Sequence, residues 1–235
     1  MHDLKALVFD VFGTLVDWRT SIARQAREVL SPHGVAIDWQ GFADAWRAQY
    51  QPAMDEVRSG RIPFSKLDVL HRRNLDVVLK DFGIDRLDEA TRVHLNLAWH
   101  RLDARPDVAP GLARLRTKFR IAPCSNGNIS LMVDLARRNG YSWDAILGAE
   151  IARDYKPKAI VYLSAAAAFD AEPAQTMMVA AHSSDLQAAQ ASGLRTAFIA
   201  RPDEYGPSTG EASATVAVDV CATSLAELAD RLGCG

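Results

Sequence analysis

Four groups of polar residues have the types and the positions along the chain that could build one reactive site. Asp10 follows the apolar segment 4–9, and residues 125–127, Ser-Asn-Gly, follow a second apolar segment. Lys156 stands at the start of a helical pattern, and residues 182–185, His-Ser-Ser-Asp, follow a third apolar segment. The set combines a carboxylate, a cation and several hydrogen-bond donors, which is what covalent catalysis by a side-chain nucleophile requires.

A carboxylate is a modest nucleophile in water and a stronger one when it is desolvated beside fixed donors. The ammonium group of Lys156 would keep Asp10 ionised, and Thr14 and Ser125 could supply hydrogen bonds. Taken singly, these residues have ordinary structural explanations. Ser-Asn-Gly is a common turn, for example, and Asp185 could cap a helix. They form a site only if the fold brings them together.

The hydrophobic pattern predicts a buried strand over residues 4–9 and then a helical segment from about 18 to 102. Apolar residues recur there at three- and four-residue spacing, and breaks at Gly34, residues 60–63 and Gly83 divide the segment into four helices. No strand is expected within it. The pattern therefore predicts an α-helical insertion after the first strand.

After this insertion the pattern alternates between strands and helices. Predicted strands cover residues 119–124, 146–148, 176–181, 194–200 and part of 215–221, and predicted helices cover residues 111–118, 130–138, 158–169, 184–192 and 224–232. Such alternation predicts an α/β fold with a parallel sheet covered by helices on both faces. The core would comprise residues 1–16 and 103–235, and the helical cap residues 17–102. Ligands bind beyond the carboxyl ends of such strands, so all four polar groups would meet at one edge.

The composition is that of an ordinary globular protein. With 27 basic and 29 acidic residues among 235, the net charge of −2 gives no indication of nucleic-acid or membrane binding. No apolar stretch approaches the ~20 residues that span a bilayer, and no secretory signal is recognisable. Three cysteines without metal-type spacing suit a reducing compartment, so a cytoplasmic location is expected. The basic run 71–73 is expected to be solvated, and residues 202–213 to be loosely ordered.

The segment 9–15, Phe-Asp-Val-Phe-Gly-Thr-Leu, resembles the first motif of the haloacid dehalogenase superfamily. Residues 125–126 resemble its second motif, residues 156–157 its third, and Asp185 its fourth, in matching order and spacing. The resemblance covers essentially the whole chain. It implies a Rossmann-like, doubly wound core with an inserted α-helical cap, and an aspartate nucleophile at Asp10.

Two departures from the phosphatases of this superfamily argue against phosphoryl transfer. Those enzymes carry a second aspartate two residues after the nucleophile, whereas the corresponding Phe12 can neither give nor take a proton. Magnesium prefers several oxygen ligands, and the fourth motif offers Asp185 beside His182 and two serines. A halide leaving group, by contrast, needs no proton. No metal or other cofactor is therefore expected.

The motifs most resemble those of the type II L-2-haloacid dehalogenases. In that family an aromatic residue stands at the position of Phe12, an arginine like Arg47 points into the site, and the interval from Lys156 to Tyr162 is the same. Phe12 and Tyr162 are accordingly counted among the substrate-binding residues. The resemblance implies that Asp10 attacks Cα of a short-chain (S)-2-haloalkanoic acid with inversion. Water then hydrolyses the resulting ester to a 2-hydroxyacid.

The resemblance also implies roles for other side chains. Arg47 and Asn126 would hold the departing halide, while Ser125 and nearby backbone donors would bind the substrate carboxylate. Asp185 would help to position Lys156 or the hydrolytic water. The implied partners are a small haloacid and water, with no nucleic acid or membrane, and a homodimer is expected from the resemblance alone.

The fourth motif departs from well-known members at two positions, because His182 replaces an asparagine and Ser184 a tryptophan. A histidine there could donate to the halide, assist the water, or fill space as a neutral side chain. The changes predict a pocket of different size and halide preference that admits small substrates such as fluoroacetate. Two other functions stay open, namely a phosphatase or phosphonatase on the same scaffold and a non-catalytic protein that binds a small acid.

Overall fold

The protein is described here by a computed structural model over residues 3–235, which contains a six-stranded sheet and a two-stranded ribbon. Within these residues the strands are β1 (Ala6–Phe9), β2 (Val16–Asp17), β3 (Asp103–Ala104), β4 (Arg120–Ser125), β5 (Leu147–Gly148), β6 (Thr176–Ala180), β7 (Arg195–Ile199) and β8 (Val220–Ala222). All neighbouring strands of the large sheet are parallel. The predicted strands are confirmed, with small shifts of their bounds.

The strand order of the large sheet, β5-β4-β1-β6-β7-β8, places β1 between β4 and β6. The chain passes from β1 to β4 and β5 on one side and then crosses back to β6, so the order reverses between β1 and β6. In open α/β sheets the ligand site lies at the carboxyl ends of the strands beside such a reversal. Asp10 and His182 stand there, just beyond the ends of β1 and β6.

Between β2 and β3 every regular element is a helix, and loops join these helices. They are α1 (Trp18–Leu30), α2 (Trp39–Ala48), α3 (Tyr50–Arg58), α4 (Leu67–Asp81) and α5 (Glu89–Asn96), with 3-10 turns at Ser31–His33 and Leu97–Arg101. Breaks at Gly34, Gly60 and Gly83 are confirmed, since each has the positive φ that glycine tolerates after a helix. The prediction of four helices was wrong. Pro52 lacks an N–H and its ring would clash with the carbonyl of Ala48, so α2 ends there and α3 begins separately.

The remaining helices cover both faces of the sheet. They are α6 (Val108–Arg116), α7 (Ile129–Asn139), α8 (Ala149–Ala152), α9 (Ala159–Ala167), α10 (Ser183–Ala191) and α11 (Leu225–Arg231). Leu7 and Phe9 of β1 pack in one hydrophobic cluster with α6, α7 and α11, while Ala6 and Val8 pack in another with α9 and α10. Alternate residues of a strand face opposite sides, which is why this strand is apolar throughout. The predicted α/β class with a doubly wound parallel sheet is confirmed.

β2 and β3 form a short antiparallel ribbon that pairs Val16 with Ala104 and Asp17 with Asp103, where the helical segment leaves and rejoins the sheet. This ribbon lies at the predicted boundaries of the cap, and we propose it as the limit between cap and core. Along the described part of the chain, no helix is both long and apolar enough to cross a membrane.

Two local expectations were wrong in part, because one residue in each segment is buried while Arg73 of the basic run and most of residues 202–213 are exposed. His71, from the basic run, is buried and stacks on Trp99 with 4.3 Å between ring centroids, so it is not part of a solvated face. Residues 202–213 form no helix or strand, yet they bury Glu204 with only 2% of its surface exposed. Glu204 therefore anchors a loop whose other residues are mostly exposed.

Candidate active site

Asp10 lies at the carboxyl end of the central strand, where its backbone N–H donates to Val179 of β6. Its Oδ2 accepts a hydrogen bond from Thr14 Oγ1 at 2.7 Å, and its Oδ1 accepts one from Lys156 Nζ at 2.9 Å. Burial alone would raise the pKa of Asp10, but the Lys156 ammonium and the nearby His182 lower it far below its usual range. The carboxylate is thus ionised in a largely dehydrated position, as its role as a nucleophile would require.

Lys156 is shared between two carboxylates. Its Nζ donates to Asp10 and also to Asp185 Oδ2 at 2.5 Å, while Tyr162 Oη donates to Asp185 Oδ1 at 2.5 Å. Burial would lower the pKa of Lys156, but the two carboxylates raise it well above its usual value. The structure therefore brings together the predicted residues of the first, third and fourth motifs.

The turn after β4 supports this arrangement from beneath. Asn126 Oδ1 accepts a hydrogen bond from the backbone N–H of Lys156 at 2.9 Å, which holds the third motif against the second. Ser125 is fully buried, and its Oγ accepts from the backbone N–H of Gly127 at 3.0 Å. Its predicted contact with the substrate carboxylate stays a prediction.

His182 bridges Asp10 to an acid that the sequence analysis missed, Glu204. The ring Nδ1 lies 3.2 Å from Asp10 Oδ2 and Nε2 lies 2.8 Å from Glu204 Oε2. Burial would lower the pKa of His182, but hydrogen bonds to both carboxylates raise it to about 10. The other oxygen of Glu204 accepts from Trp18 Nε1 at 3.1 Å. No motif marks Glu204, because it belongs to the loop after β7 and meets the site only through the fold.

Gly13 makes room for Glu204. A Cβ on this residue would lie 2.1 Å from Glu204 Oε1, and its φ of +85° is one that other residues rarely adopt. The glycine of the first motif therefore lets Glu204 approach the loop that follows β1 and Asp10.

Arg47, on α2, brings a positive charge to the same site. Its guanidinium lies 4.0 Å from the ring centroid of Tyr50, 5.5 Å from that of Trp18 and 5.9 Å from that of Phe12. Its Nη1 is buried without a hydrogen-bond partner, and within residues 3–235 no carboxylate lies within 4.0 Å of its nitrogens. A half-buried cation framed by aromatic rings is suited to bind a small anion.

A cleft of about 990 Å³ runs between the cap helices and the sheet edge. It is lined by the predicted residues Asp10, Phe12, Arg47, Asn126, Lys156, Tyr162, His182 and Asp185, and also by Tyr50, Gln51, Asp55, Arg58, Ser59, Arg61, Pro157, Lys158, Ser184 and Tyr205. Of the predicted set, only Thr14 and Ser125 are not in its wall, and both are buried beneath it. In the chain from residue 3 onwards, no group of three or more His, Cys, Asp or Glu side chains is arranged to hold a metal ion.

The fold and site define a class of hydrolase. The model of the haloacid dehalogenase-like hydrolases matches residues 4–193, and the chain belongs to this family. Its resemblance to the L-2-haloacid dehalogenases is also confirmed. The (S)-2-haloacid dehalogenase 1 of Pseudomonas sp. (strain CBS-3) is 30% identical over 213 residues, which cover 87% of this chain and 89% of that protein.

Two solved structures are similar to this chain over nearly its whole length. The defluorinating L-2-haloacid dehalogenase Rha0230 is 45% identical with a TM-score of 0.95, covering 98% of this chain and 95% of that one. The L-2-haloacid dehalogenase PA0810 is 43% identical with a TM-score of 0.93, covering 98% and 99%.

Proposed function

We propose that this protein hydrolyses short-chain (S)-2-haloalkanoic acids to 2-hydroxyacids through an ester formed on Asp10. The observation that carries the proposal is the environment of the Asp10 carboxylate. It is buried, kept ionised by the neighbouring Lys156 ammonium, and placed at the floor of a cleft that also contains Arg47, a cation with no carboxylate within 4.0 Å among residues 3–235. The names of the relatives, (S)- and L-2-haloacid dehalogenases, support the same reaction.

In the first half-reaction an oxygen of Asp10 forms a bond to Cα of the haloacid, and the carbon–halogen bond breaks. The halide leaves with the bonding electrons, and attack from the opposite side inverts the configuration. A halide needs no proton, which is consistent with Phe12 at the position where an acid would otherwise protonate the leaving group.

Arg47 and Asn126 would hold the departing halide. The guanidinium provides positive charge where negative charge develops, in a wall built partly of the rings of Phe12 and Tyr50. The amide oxygen of Asn126 is engaged by the backbone of Lys156, which fixes the amide and leaves its NH2 group as a donor. Ser125 and neighbouring backbone N–H groups would bind the substrate carboxylate.

In the second half-reaction water attacks Cγ of Asp10 and releases the hydroxyacid. Lys156, 2.9 Å from Oδ1, would stabilise the oxyanion that forms on this carboxyl group. Asp185 and Tyr162 would hold the Lys156 ammonium in place. The proposed substrates are small and include fluoroacetate. This is in keeping with the name of the defluorinating relative and with His182 in the fourth motif. The cytoplasmic location and the homodimer stay predictions.

The test is halide release from both enantiomers of 2-chloropropionate, from chloroacetate and from fluoroacetate, with and without a metal chelator. We expect chelator-resistant release that favours the L enantiomer and disappears in Asp10→Asn. Asp3→Asn, at an exposed acid outside the cleft, serves as the matched control. Phosphate release from a phosphoester, abolished by the chelator, or halide release that persists in Asp10→Asn, would contradict the proposal.

A further inference from the structure

Hydrolysis of the ester needs a base, because water is a poor nucleophile while it keeps both protons. Asp185 stands near the site, but both of its oxygens are engaged. One accepts from the Lys156 ammonium and the other from the Tyr162 hydroxyl, each at 2.5 Å. Taking a proton from water would require this carboxylate to weaken a short bond to a buried cation.

His182 has the geometry that Asp185 lacks. Its Nδ1 lies 3.2 Å from an oxygen of Asp10, so it borders the carbon that water must attack. Its Nε2 lies 2.8 Å from Glu204, whose buried carboxylate can only accept a hydrogen bond. Glu204 therefore keeps a proton on Nε2 and leaves Nδ1 as the nitrogen that exchanges protons.

We propose that His182, oriented by Glu204, is the general base of ester hydrolysis and that formation of the ester switches it on. The inference rests on the proposed function. In the resting site both ring nitrogens face carboxylates, so both carry protons and the ring is an imidazolium. Once Asp10 is esterified it is neutral, and one of the two anions that hold the imidazolium is gone.

The proton balance follows from this geometry. Ester formation releases the halide, and His182 then loses its Nδ1 proton to solvent. The neutral ring takes a proton from water as the water oxygen bonds to Cγ of Asp10. The bond from Cγ to the bridging ester oxygen, which came from Asp10, breaks, and the leaving alkoxide takes that proton from His182 to become the hydroxyacid. The Asp10 carboxylic acid finally returns its proton to Nδ1 and restores the resting pair.

The charged groups around His182 are consistent with this order of proton transfers. Asp10 and Glu204 are its direct partners. The other titratable groups that line the same cleft are Arg47, Tyr50, Asp55, Arg58, Arg61, Lys156, Lys158, Tyr162, Asp185 and Tyr205. Burial lowers the pKa of His182, and hydrogen bonding and charge from Asp10 and Glu204 raise it. Esterification removes the contribution of Asp10 to the pKa of His182, while the lowering of this pKa by burial remains.

The test is a single turnover of chloroacetate with excess enzyme, followed by halide release, proton release with an indicator dye, and intact-protein mass. In the wild type we expect one proton to appear with the halide, before the hydroxyacid. In His182→Gln the halide should still appear, no proton should accompany it, and the enzyme should accumulate as the carboxymethyl ester of Asp10. His94→Gln, at an exposed histidine, should behave as the wild type.

Measuring halide release distinguishes a failure of this inference from a failure of the proposed function. Halide released at the wild-type rate with normal ester hydrolysis in His182→Gln would overturn the inference alone, as would accumulation of ester in Asp185→Asn but not in His182→Gln. No halide from the wild type would overturn both. Added imidazole should restore ester hydrolysis in His182→Ala.

Glu204 is a positioning residue, so its test needs more than a rate. Glu204→Gln should shift the pH profile of ester hydrolysis to lower pH, because the imidazolium loses its second anion, and should slow hydrolysis more than the halide step. Glu204→Asp should restore part of the shift. Glu28→Gln, at an exposed glutamate of α1, is the matched control. An unchanged pH profile in Glu204→Gln would contradict its role.

Discussion

Replacing Lys156 by methionine removes the charge that two buried carboxylates share while keeping a chain of similar length. Asp10 and Asp185 each have side chains only 10% exposed and hydrogen-bond to the same Nζ, at 2.9 and 2.5 Å. Removing one partner of a buried ion pair leaves an uncompensated charge and costs about 3–5 kcal/mol. We therefore expect Lys156→Met to lower the free energy of unfolding by about that amount at neutral pH.

The loss of stability in Lys156→Met should depend on pH. Lys156 lowers the pKa of Asp10 from its ordinary 3.8, so this stabilisation is present above that value and disappears as the pH falls through the lowered pKa. In Lys156→Met the unpaired carboxylates protonate at higher pH than in the wild type. The stability difference should therefore shrink as the solution is acidified.

Urea unfolding of both proteins at neutral and mildly acidic pH measures this difference. Lys80→Met, at an exposed lysine on α4, should change stability by less than about 0.5 kcal/mol. Ester hydrolysis should also slow by about 10²–10³-fold, as when one donor to a developing oxyanion is removed. A loss near 1 kcal/mol that does not change with pH would refute the reasoning.

Three further outcomes follow from the site. Arg47→Lys keeps the charge but loses the planar group held among aromatic rings, so we expect kcat/KM for chloroacetate to fall about 10–100-fold in steady-state assays. Tyr162→Phe removes a donor to Asp185 and should cost about 1.5–3 kcal/mol in urea unfolding, against little for the control Tyr141→Phe. The pKa of His182 is raised from 6.5 to about 10, so its stabilisation is complete below pH 6.5 and fades as the pH rises toward 10. The stability gap between wild type and His182→Gln should close over that interval, and a constant gap would contradict the pairing.

Much of the fold could be predicted from the sequence because its elements differ in hydrophobic period. A strand buried on both faces, such as β1, is a short continuous apolar run, and glycines with positive φ follow several of the helices. The division between α2 and α3 was missed although Pro52 signalled it. The ribbon of β2 and β3 has only two residues per strand, too few to show a period.

The candidate site could likewise be predicted only in part. Asp10, Lys156 and Asp185 could be predicted because each follows or begins an element in a fixed order, and parallel strands bring their ends together. Glu204 could not, since its position depends on how an irregular loop packs over Gly13. The burial of His71 also arises from tertiary packing, because its stacking partner Trp99 is distant along the chain.

The central claim is that Asp10 is the nucleophile and that water attacks its carboxyl carbon. A single turnover in heavy-oxygen water, with enzyme in excess over L-2-chloropropionate, tests it most directly. Mass spectrometry of the peptide that contains Asp10 should find the heavy oxygen in its side chain, while the lactate released carries ordinary oxygen. Heavy oxygen in the lactate and none in Asp10 would contradict the claim.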